Sequence, residues 1–446
     1  MRFSDLEGRR VAVWGLGLEG RAALAALSAR GIEATVAESD ADADVLRAAE
    51  VVVKSPGVPV SSPLYAELAT AGVAFTSNTD LWLSENADRA IGVTGTKGKS
   101  TTSSAIAHLL GALGEEVSLG GNIGVSLLDA AATGTVVMEV SSYQAQSISV
   151  SPRVAVVTSL FPEHLPWHGS EERYFSDKLR LVSQGASLVV APGHDRALVG
   201  RIIAALPEGA TLHLTHLPSQ GVLAAGDAAL AVRTDPGRAI GAREQSGLIW
   251  DGVGAIAPGD LPLVGVHNAH NLALAVLAVA VALDITSGDP RAVQLLDAVR
   301  TFAPLAHRME TVPSRDGRRW IDDSLATAPE AVIAALSVFP DEPVALILGG
   351  ADRGLDLSPL AAYLRGRHSP VHLLLIGPAG ARFGREHAID LPHAAIEFTR
   401  MADAVAWGLS VANPANVVLL SPGAPSFDEY RDYADRARHL CELIAP

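Results

Sequence analysis

Short runs of consecutive apolar residues recur along the chain. Nearly every run ends in a glycine- or serine-rich turn that leads into a segment of helical periodicity. "RRVAVWGLGLEGRAALAALSARGIEATVAESD" predicts a strand, a glycine turn, a helix with an Ala/Leu face and a second strand. "EVVVKSPGVP" adds a further strand that stops at a Pro-Gly turn. Apolar strands alternating with helices are the pattern of an open parallel sheet.

The same texture resumes at Ala90 with "AIGVTGTKGKSTT" and continues through "GTVVMEVSS", "RVAVVTSL" and "ASLVVAPG". Between about 205 and 262 it gives way to short alternating runs with Gly and Pro, which predict a small antiparallel insertion. A helix from Asn271 to Leu283 follows. Beyond about 304, "RRWIDDS", "PVALILGG", "HLLLIGP" and "ANVVLLSPG" are four more strands separated by helical stretches. The expectation is therefore α/β throughout, in three units spanning 1–88, 89–303 and 304–446. A chain of 446 residues is indeed too long for one ordinary core.

Composition narrows the class. Hydrophobic residues make up 48% and mean hydropathy is +0.26, yet no run reaches the ~18 apolar residues of a membrane span. The longest, Leu272 to Leu283, stops at Asp284 and predicts a buried helix. The N-terminus lacks an apolar leader, so a non-secreted, cytoplasmic protein without membrane attachment is expected. A single cysteine, Cys441, excludes a disulfide framework and a cysteine-built zinc site. The net charge of −15 and the absence of Lys/Arg runs argue against nucleic acid. Of 34 Lys+Arg only four are lysine, Lys54, Lys97, Lys99 and Lys178, so each lysine asks for a reason.

Two glycine turns have the context of phosphate sites. Gly15-x-Gly17-x-x-Gly20 follows a strand and opens a helix, with Glu38 at the end of the second strand. Alone, it suits a dinucleotide enzyme, another nucleotide or a bare structural turn. The second turn is Gly92-x-x-Gly95-x-x-Gly98-Lys99-Ser100-Thr101. It has Val93 where the common P-loop has its first glycine, but keeps the working parts. Backbone N–H groups at a helix start cradle phosphate, Lys99 reaches the outer phosphates and Ser100 can ligand Mg²⁺. Two of the four lysines lie inside this turn, which favours ATP binding over a solvated loop. Glu139 ends a strand, and "FPEHLPWHGSEERYFSDKLRL" brings His164, His168 and Lys178. Glu139 and a histidine suit divalent-cation ligation, whereas His168 on its own is expected at the surface.

The order of motifs resembles the ATP-dependent Mur ligases of peptidoglycan synthesis. It is most similar to the branch that joins glutamate to UDP-N-acetylmuramoyl-L-alanine. The resemblance rests on "GLGLEG", "SPGVP", "GVTGTKGKSTT", "GGNIG", "EVSSYQ", "EHL" with "DKLRL", "GVHNAHNLALA", "LAHRME", "IDDSLAT", "LILGGADRG" and "LLSPGAPSFDEY", which together span the chain. It implies a Rossmann-like first domain that binds the UDP-sugar through Gly17, Leu18, Ser39, Ser55 and Gly57. Asn122, Ser141 and Gln144 would face the muramoyl part. A central P-loop ATPase domain would hold ATP through Gly95, Thr96, Lys97, Gly98, Lys99, Ser100, Thr101 and Asn271. Arg308 and Asp323 would be contributed from a C-terminal Rossmann-like α/β domain. The resemblance also implies two Mg²⁺ ions on Ser100, Glu139, His164 and Lys178, the last as a CO₂-derived carbamate. Thr327, Arg353, Ser426 and Phe427 would bind the amino acid, and the enzyme would be a monomer.

Several positions depart from the family pattern. The family's "DSKATN" is Asp323-Ser324-Leu325-Ala326-Thr327-Ala328 here, so a carboxylate-holding lysine is replaced by Leu325. Arg353 stands where the family has another lysine, which keeps the charge but changes its geometry. "FPEHLPWHG" departs from the acidic "DHLDRH" pattern, and Asp40 stands where the family can carry arginine. The changes gather at the amino-acid pocket and leave the ATP site nearly intact. They favour L-glutamate over D-glutamate as the acceptor, with an ordinary D-glutamate-adding enzyme as the alternative. A folylpolyglutamate-synthase-like ligase and an NAD-dependent oxidoreductase are weaker rivals.

Overall fold

The computed structural model describes residues 1–123, 126–129, 133–215, 232–233, 240–243, 247–263, 266–303, 306–327, 329–352 and 354–445. The chain forms two compact units, Met1–Ala303 and Pro304–Pro446.

The first unit holds two parallel sheets. Strands β1 (Val11–Trp14), β2 (Ala34–Ala37), β3 (Val51–Lys54) and β4 (Ala74–Thr76) form the smaller one in the order β2-β1-β3-β4. Both β1 and β3 are buried along their whole length, as their unbroken apolar runs require. The larger sheet comprises β5 (Ala90–Thr94), β6 (Val117–Gly121), β7 (Thr135–Glu139), β8 (Val154–Val157), β9 (Leu188–Pro192), β10 (Thr211–Thr215) and β11 (Val232–Arg233). Its order is β11-β10-β9-β8-β5-β7-β6, with all strands parallel. Strand order reverses around β5, the kind of switch point where ligand crevices open beyond the carboxyl ends of strands.

Within the expected antiparallel insertion, β10 and β11 extend the parallel sheet, and among the described residues β12 (Ile240–Arg243), β13 (Gly247–Trp250) and β14 (Gly254–Ile256) pair antiparallel. Ile240, Leu248, Trp250 and Ile256 share a core with the helix Val266–Ala282. That helix starts before the predicted Asn271 because its first turn, with His267, Asn268 and His270, is polar and lacks the apolar signal. Residues 216–231, within the expected insertion, lie outside the described residues.

The second unit is a six-stranded sheet of β15 (Glu310–Val312), β16 (Arg319–Asp322), β17 (Val344–Gly349), β18 (Val371–Ile376), β19 (Ala394–Phe398) and β20 (Val417–Leu420). Its order is β15-β16-β20-β17-β18-β19, with only β15 antiparallel. The four predicted strands are its centre. The two unpredicted ones, β15 and β19, are edge strands with half-exposed sequences that give no apolar run.

Candidate functional site

The strand β5 runs into the glycine turn, and the helix Lys99–Ala112 leaves it. Gly95 has φ +148° and Gly98 φ +86°, values that side-chain-bearing residues rarely adopt. Space is equally restrictive. A β-carbon at Gly95 would meet the Thr158 hydroxyl, and one at Gly98 would meet the Asn271 amide. The predicted ATP residues Gly98 and Asn271 are thus brought into contact. Thr158 Oγ1 donates to Lys97 O at 2.5 Å, and the Lys97 amide donates to Ser159 Oγ at 2.9 Å. The turn is therefore fixed before any ligand enters.

Two lysines converge on one carbonyl of this turn. Lys99 Nζ donates to Gly95 O and Thr96 O, both at 3.1 Å. Lys178, on the helix Glu171–Ser183, donates to the same Gly95 O at 2.7 Å and is only 2% exposed. Burial, and then the Lys99 charge, hold the Lys178 pKa well below the ordinary lysine value. Burying an ammonium is costly and the neighbouring cation adds to that cost, so both favour loss of the proton. Lys178 also lies over the Tyr174 ring, and Tyr174 shares a 3.0 Å hydrogen bond with Thr96 Oγ1. Lys97 points elsewhere and pairs with Glu163 at 2.5 Å.

Glu139 ends β7 beside β5, with its register partner Val93 just before the turn. It is buried, and its Oε1 accepts from Asn122 Nδ2 at 2.9 Å. Its Oε2 has no hydrogen-bond partner among the described residues. A buried carboxylate oxygen left unpaired is expensive, and a cation is the group that would satisfy it. His164 has φ +56°, with its ring 5.1 Å from that of Tyr143. Ser100 sits in the first turn of the P-loop helix. The unpaired Glu139 oxygen and the Ser100 hydroxyl are hard oxygen donors of the kind Mg²⁺ takes.

His168 is corrected here. It is buried, not on the surface, with Nδ1 2.8 Å from Asp177 Oδ2 and Nε2 3.0 Å from Ser142 Oγ. The chain Ser142–His168–Asp177 ties the segment 141–144 to the helix that carries Lys178. The available signal was Asp177, which stands beside Lys178 on the helix face that also buries Tyr174 and Leu181.

The predicted muramoyl and nucleotide-sugar residues also belong to the first unit. Ser141 caps a short helix through Gln144: its hydroxyl accepts from Gln144 N at 3.2 Å and donates to Gln144 Oε1 at 3.1 Å. Ser55 Oγ donates to Gly15 O at 3.0 Å, and Gly20 packs so closely on Gly15 O that no β-carbon fits. Gly17 caps the first helix, Ser39 caps the next turn, and Gly57 lies in the turn after β3. The side chain of Leu18 lies outside the described residues. Lys54, unassigned from sequence, is buried and donates to Val58 O at 2.8 Å and Ser55 O at 3.2 Å. It staples the "SPGVP" turn, and burial lowers its pKa to about 8.

In the second unit, Asp323 is buried at the end of β16 and accepts from Ser421 Oγ at 2.7 Å. Arg308 lies between His307 (φ +66°) and Met309 (φ +51°), in a turn held by His307 Nδ1 at 2.7 Å from Asp322 Oδ2. Ser426 is buried, whereas Phe427 and Thr327 are exposed. Arg353 lies outside the described residues.

Comparison with known proteins gives a consistent kinship. A family model described as the Mur ligase middle domain matches residues 93–280, and one described as the Mur ligase glutamate ligase domain matches 307–423. Curated relatives from Salinispora tropica and Micromonospora sp. are 39% and 40% identical. Both alignments cover 100% of this chain, and 99% and 98% of the relatives. One from Xanthomonas oryzae pv. oryzae is 38% identical over 99% of this chain and 96% of its own. All three bear the name UDP-N-acetylmuramoyl-L-alanine–L-glutamate ligase. Among solved structures, the UDP-N-acetylmuramate-alanine ligase MurC of Thermotoga maritima aligns with a TM-score of 0.52 at 18% identity, covering 97% of this chain and 98% of that one. The MurF ligase of the same organism, in complex with ADP, aligns with 0.52 at 18%, covering 98% and 95%. At such identities the likeness shows the fold.

Independently of kinship, Asp323 sets a pH signature. Burial, only partly offset by Ser421, raises its pKa from 3.8 to about 6. The native state therefore holds this proton more tightly than the unfolded chain. The stability it contributes is complete below about pH 4 and is lost as pH rises to about 6. Asp323→Asn removes the titration. The stability of the variant relative to the parent, from urea unfolding, should rise by up to about 3 kcal/mol between pH 4 and pH 7. A difference that does not change with pH would contradict the buried carboxyl.

Proposed function

The chain belongs to the Mur ligase family, and from that premise we propose that it joins glutamate to UDP-N-acetylmuramoyl-L-alanine in peptidoglycan synthesis, with L-glutamate as the amino acid. As a Mur ligase it is an ATP-dependent, ADP-forming amide ligase. The three-domain division at 1–88, 89–303 and 304–446 is supported by the two distinct parallel sheets of the first unit and the third sheet in the second unit, with Trp82 and Leu83 packed into the core of the larger sheet. We propose that the enzyme acts as a monomer. ATP and UDP-sugars are cytoplasmic metabolites, which supports that location; no helix among the described residues is long and apolar enough to cross a membrane.

The observation that carries the reading is the pair of lysines on Gly95 O beside a half-satisfied Glu139. In the proposed reaction the terminal carboxylate of the nucleotide-sugar attacks the γ-phosphorus of ATP, the bond to ADP breaks, and an acyl phosphate forms. The glutamate amine then attacks the acyl carbon. The tetrahedral intermediate expels inorganic phosphate, and the nitrogen loses a proton to give the amide. Backbone N–H groups of the P-loop and Lys99 hold the phosphate oxygens as negative charge gathers on them. Asn271, whose amide lies against Gly98, is assigned to the nucleotide base. Arg308 and Asp323 are assigned to the nucleotide from the second unit. Ser100, Glu139, His164 and a modified Lys178 would hold two Mg²⁺ ions, which supply charge neutralisation.

The environment of Lys178 supports its modification. In its neutral form Nζ adds to the carbon of CO₂, loses a proton and becomes a carbamate anion. A buried amine beside Lys99 is thereby exchanged for an anion that hydrogen bonds and ligates. Arginine, with a pKa above about 12, cannot do this. On the UDP-sugar side, Gly17, Leu18, Ser39, Ser55 and Gly57 are assigned to the nucleotide, and Asn122, Ser141 and Gln144 to the muramoyl part. Thr327, Arg353, Ser426 and Phe427 are assigned to the amino acid. L-glutamate is supported by Leu325 in place of the family lysine and by the names of the relatives.

Phosphate release from ATP with Mg²⁺ and UDP-N-acetylmuramoyl-L-alanine, run with L- and D-glutamate in parallel, should show turnover with L-glutamate. Turnover with D-glutamate alone would make Leu325 and Arg353 neutral changes. Silence with both would refute the substrate assignment. Lys178→Ala and Lys178→Arg should each lose about 10²–10³-fold in kcat. Added acetate or formate should restore part of the Ala variant only, and normal turnover of either variant would refute the carbamate.

A further inference from the structure

The residues assigned above to the amino acid fall in or beside three described segments of the second unit: 323–327, 349–352 and 421–430. One buried side chain reaches all three. Arg436, on the helix Tyr433–Ile444, is 1% exposed. Its Nη2 donates to Ser324 O at 2.9 Å, and both Nη atoms donate to Ala424 O at 3.2 Å. A β-carbon on Gly350 would lie 3.2 Å from Nη1 and would collide with Pro425 O, so the guanidinium and the 425 backbone occupy the space a side chain would need there. Backbone bonds lace the segments around it. Ala351 N donates to Pro425 O at 2.9 Å, Gly349 N to Pro422 O at 2.8 Å and Gly423 N to Ala326 O at 3.0 Å.

We infer that Arg436 is the positioning residue that sets the shape of the amino-acid pocket, and so decides which amino acid is accepted; this rests on the ligase reading above. It acts through backbone and touches no substrate. Ser324 immediately precedes Leu325, and Ala424 lies two residues before Ser426, so both held carbonyls adjoin residues that face or flank the pocket. A planar fork can hold carbonyls from two segments at fixed angles, whereas a lysine is a point donor. The surrounding titratable groups are Asp428, Tyr430 and Asp322; the carboxylates of Asp428 and Asp322 favour the cation, and the Tyr430 phenol is neutral at neutral pH. Burial lowers its pKa to about 10, so it stays charged at neutral pH. Its Nε has no hydrogen-bond partner among the described residues. The donors with partners are those that reach the pocket segments. A side chain needed for packing alone would not need this charge, since buried charges are often replaced by apolar groups without loss. Where the family relies on a lysine at position 325, this chain depends more heavily on the placement of its loops.

The full-length enzyme carrying Arg436→Lys or Arg436→Ala tests this with each substrate varied in turn. In both variants KM for glutamate should rise by about 10-fold or more, while KM for ATP and for the nucleotide-sugar stays within about twofold. The ratio of kcat/KM between L- and D-glutamate should move toward one. Guanidinium ion should lower the glutamate KM of the Ala variant and leave the other two unchanged. The inference is overturned by three KM values rising together, by an unchanged glutamate KM, or by loss of the circular dichroism of the fold in both variants. Absence of glutamate-dependent turnover in the parent enzyme would instead remove the ligase reading itself.

Discussion

One carbonyl oxygen, that of Gly95, accepts hydrogen bonds from both Lys99 and Lys178, and the first unit is arranged around that crowding. The turn that presents it needs glycine at 95 and 98 for two separate reasons, backbone angle and the close approach of Thr158 and Asn271. The two lysines come from different helices, one leaving the turn and one far along the chain. Two ammonium groups cannot share a buried acceptor cheaply. The cost falls on Lys178, the more deeply buried of the two, whose pKa is held well below the ordinary lysine value. A strain that would weaken an ordinary core is thus a chemical asset at a phosphate site.

The other buried polar groups serve to hold functional segments in place. Ser142, His168 and Asp177 form a closed chain between the predicted muramoyl segment and the Lys178 helix. Lys54 staples the turn after β3, and Asn122 occupies one oxygen of Glu139 while the other remains unpaired. In the second unit Asp323, just after β16, and Arg436, on the helix Tyr433–Ile444, are both buried. Burial moves the acid upward and the base downward. Such groups are retained at a cost in stability because each fixes a backbone position that apolar packing would leave free.

Strands that are apolar along their whole length, such as β1, β5, β8 and β17, could be read directly, because central parallel strands are buried on both faces. The edge strands β15 and β19 could not, since their exposed faces carry polar residues without strict alternation. The glycine turn at the start of the helix Lys99–Ala112, and the gathering of Lys99, Glu139 and Lys178 about it, were legible because phosphate and cation chemistry calls for such residue types at such spacing. His168 and Arg436 were not. Their roles depend on partners distant in sequence, Ser142 for one and Ser324 for the other, and no local pattern announces a hydrogen bond across such separations. Lys54 was visible only as an unexplained lysine in an arginine-rich chain.

The central claim is that the γ-phosphate passes to the substrate carboxylate before the amide forms. It is tested most directly with UDP-N-acetylmuramoyl-L-alanine labelled with ¹⁸O in both oxygens of its terminal carboxylate. After turnover with ATP and glutamate, the released phosphate is analysed by mass spectrometry. Transfer through an acyl phosphate predicts one ¹⁸O in each phosphate and one retained in the new amide carbonyl. Unlabelled phosphate, formed while the amide product accumulates, would contradict the account.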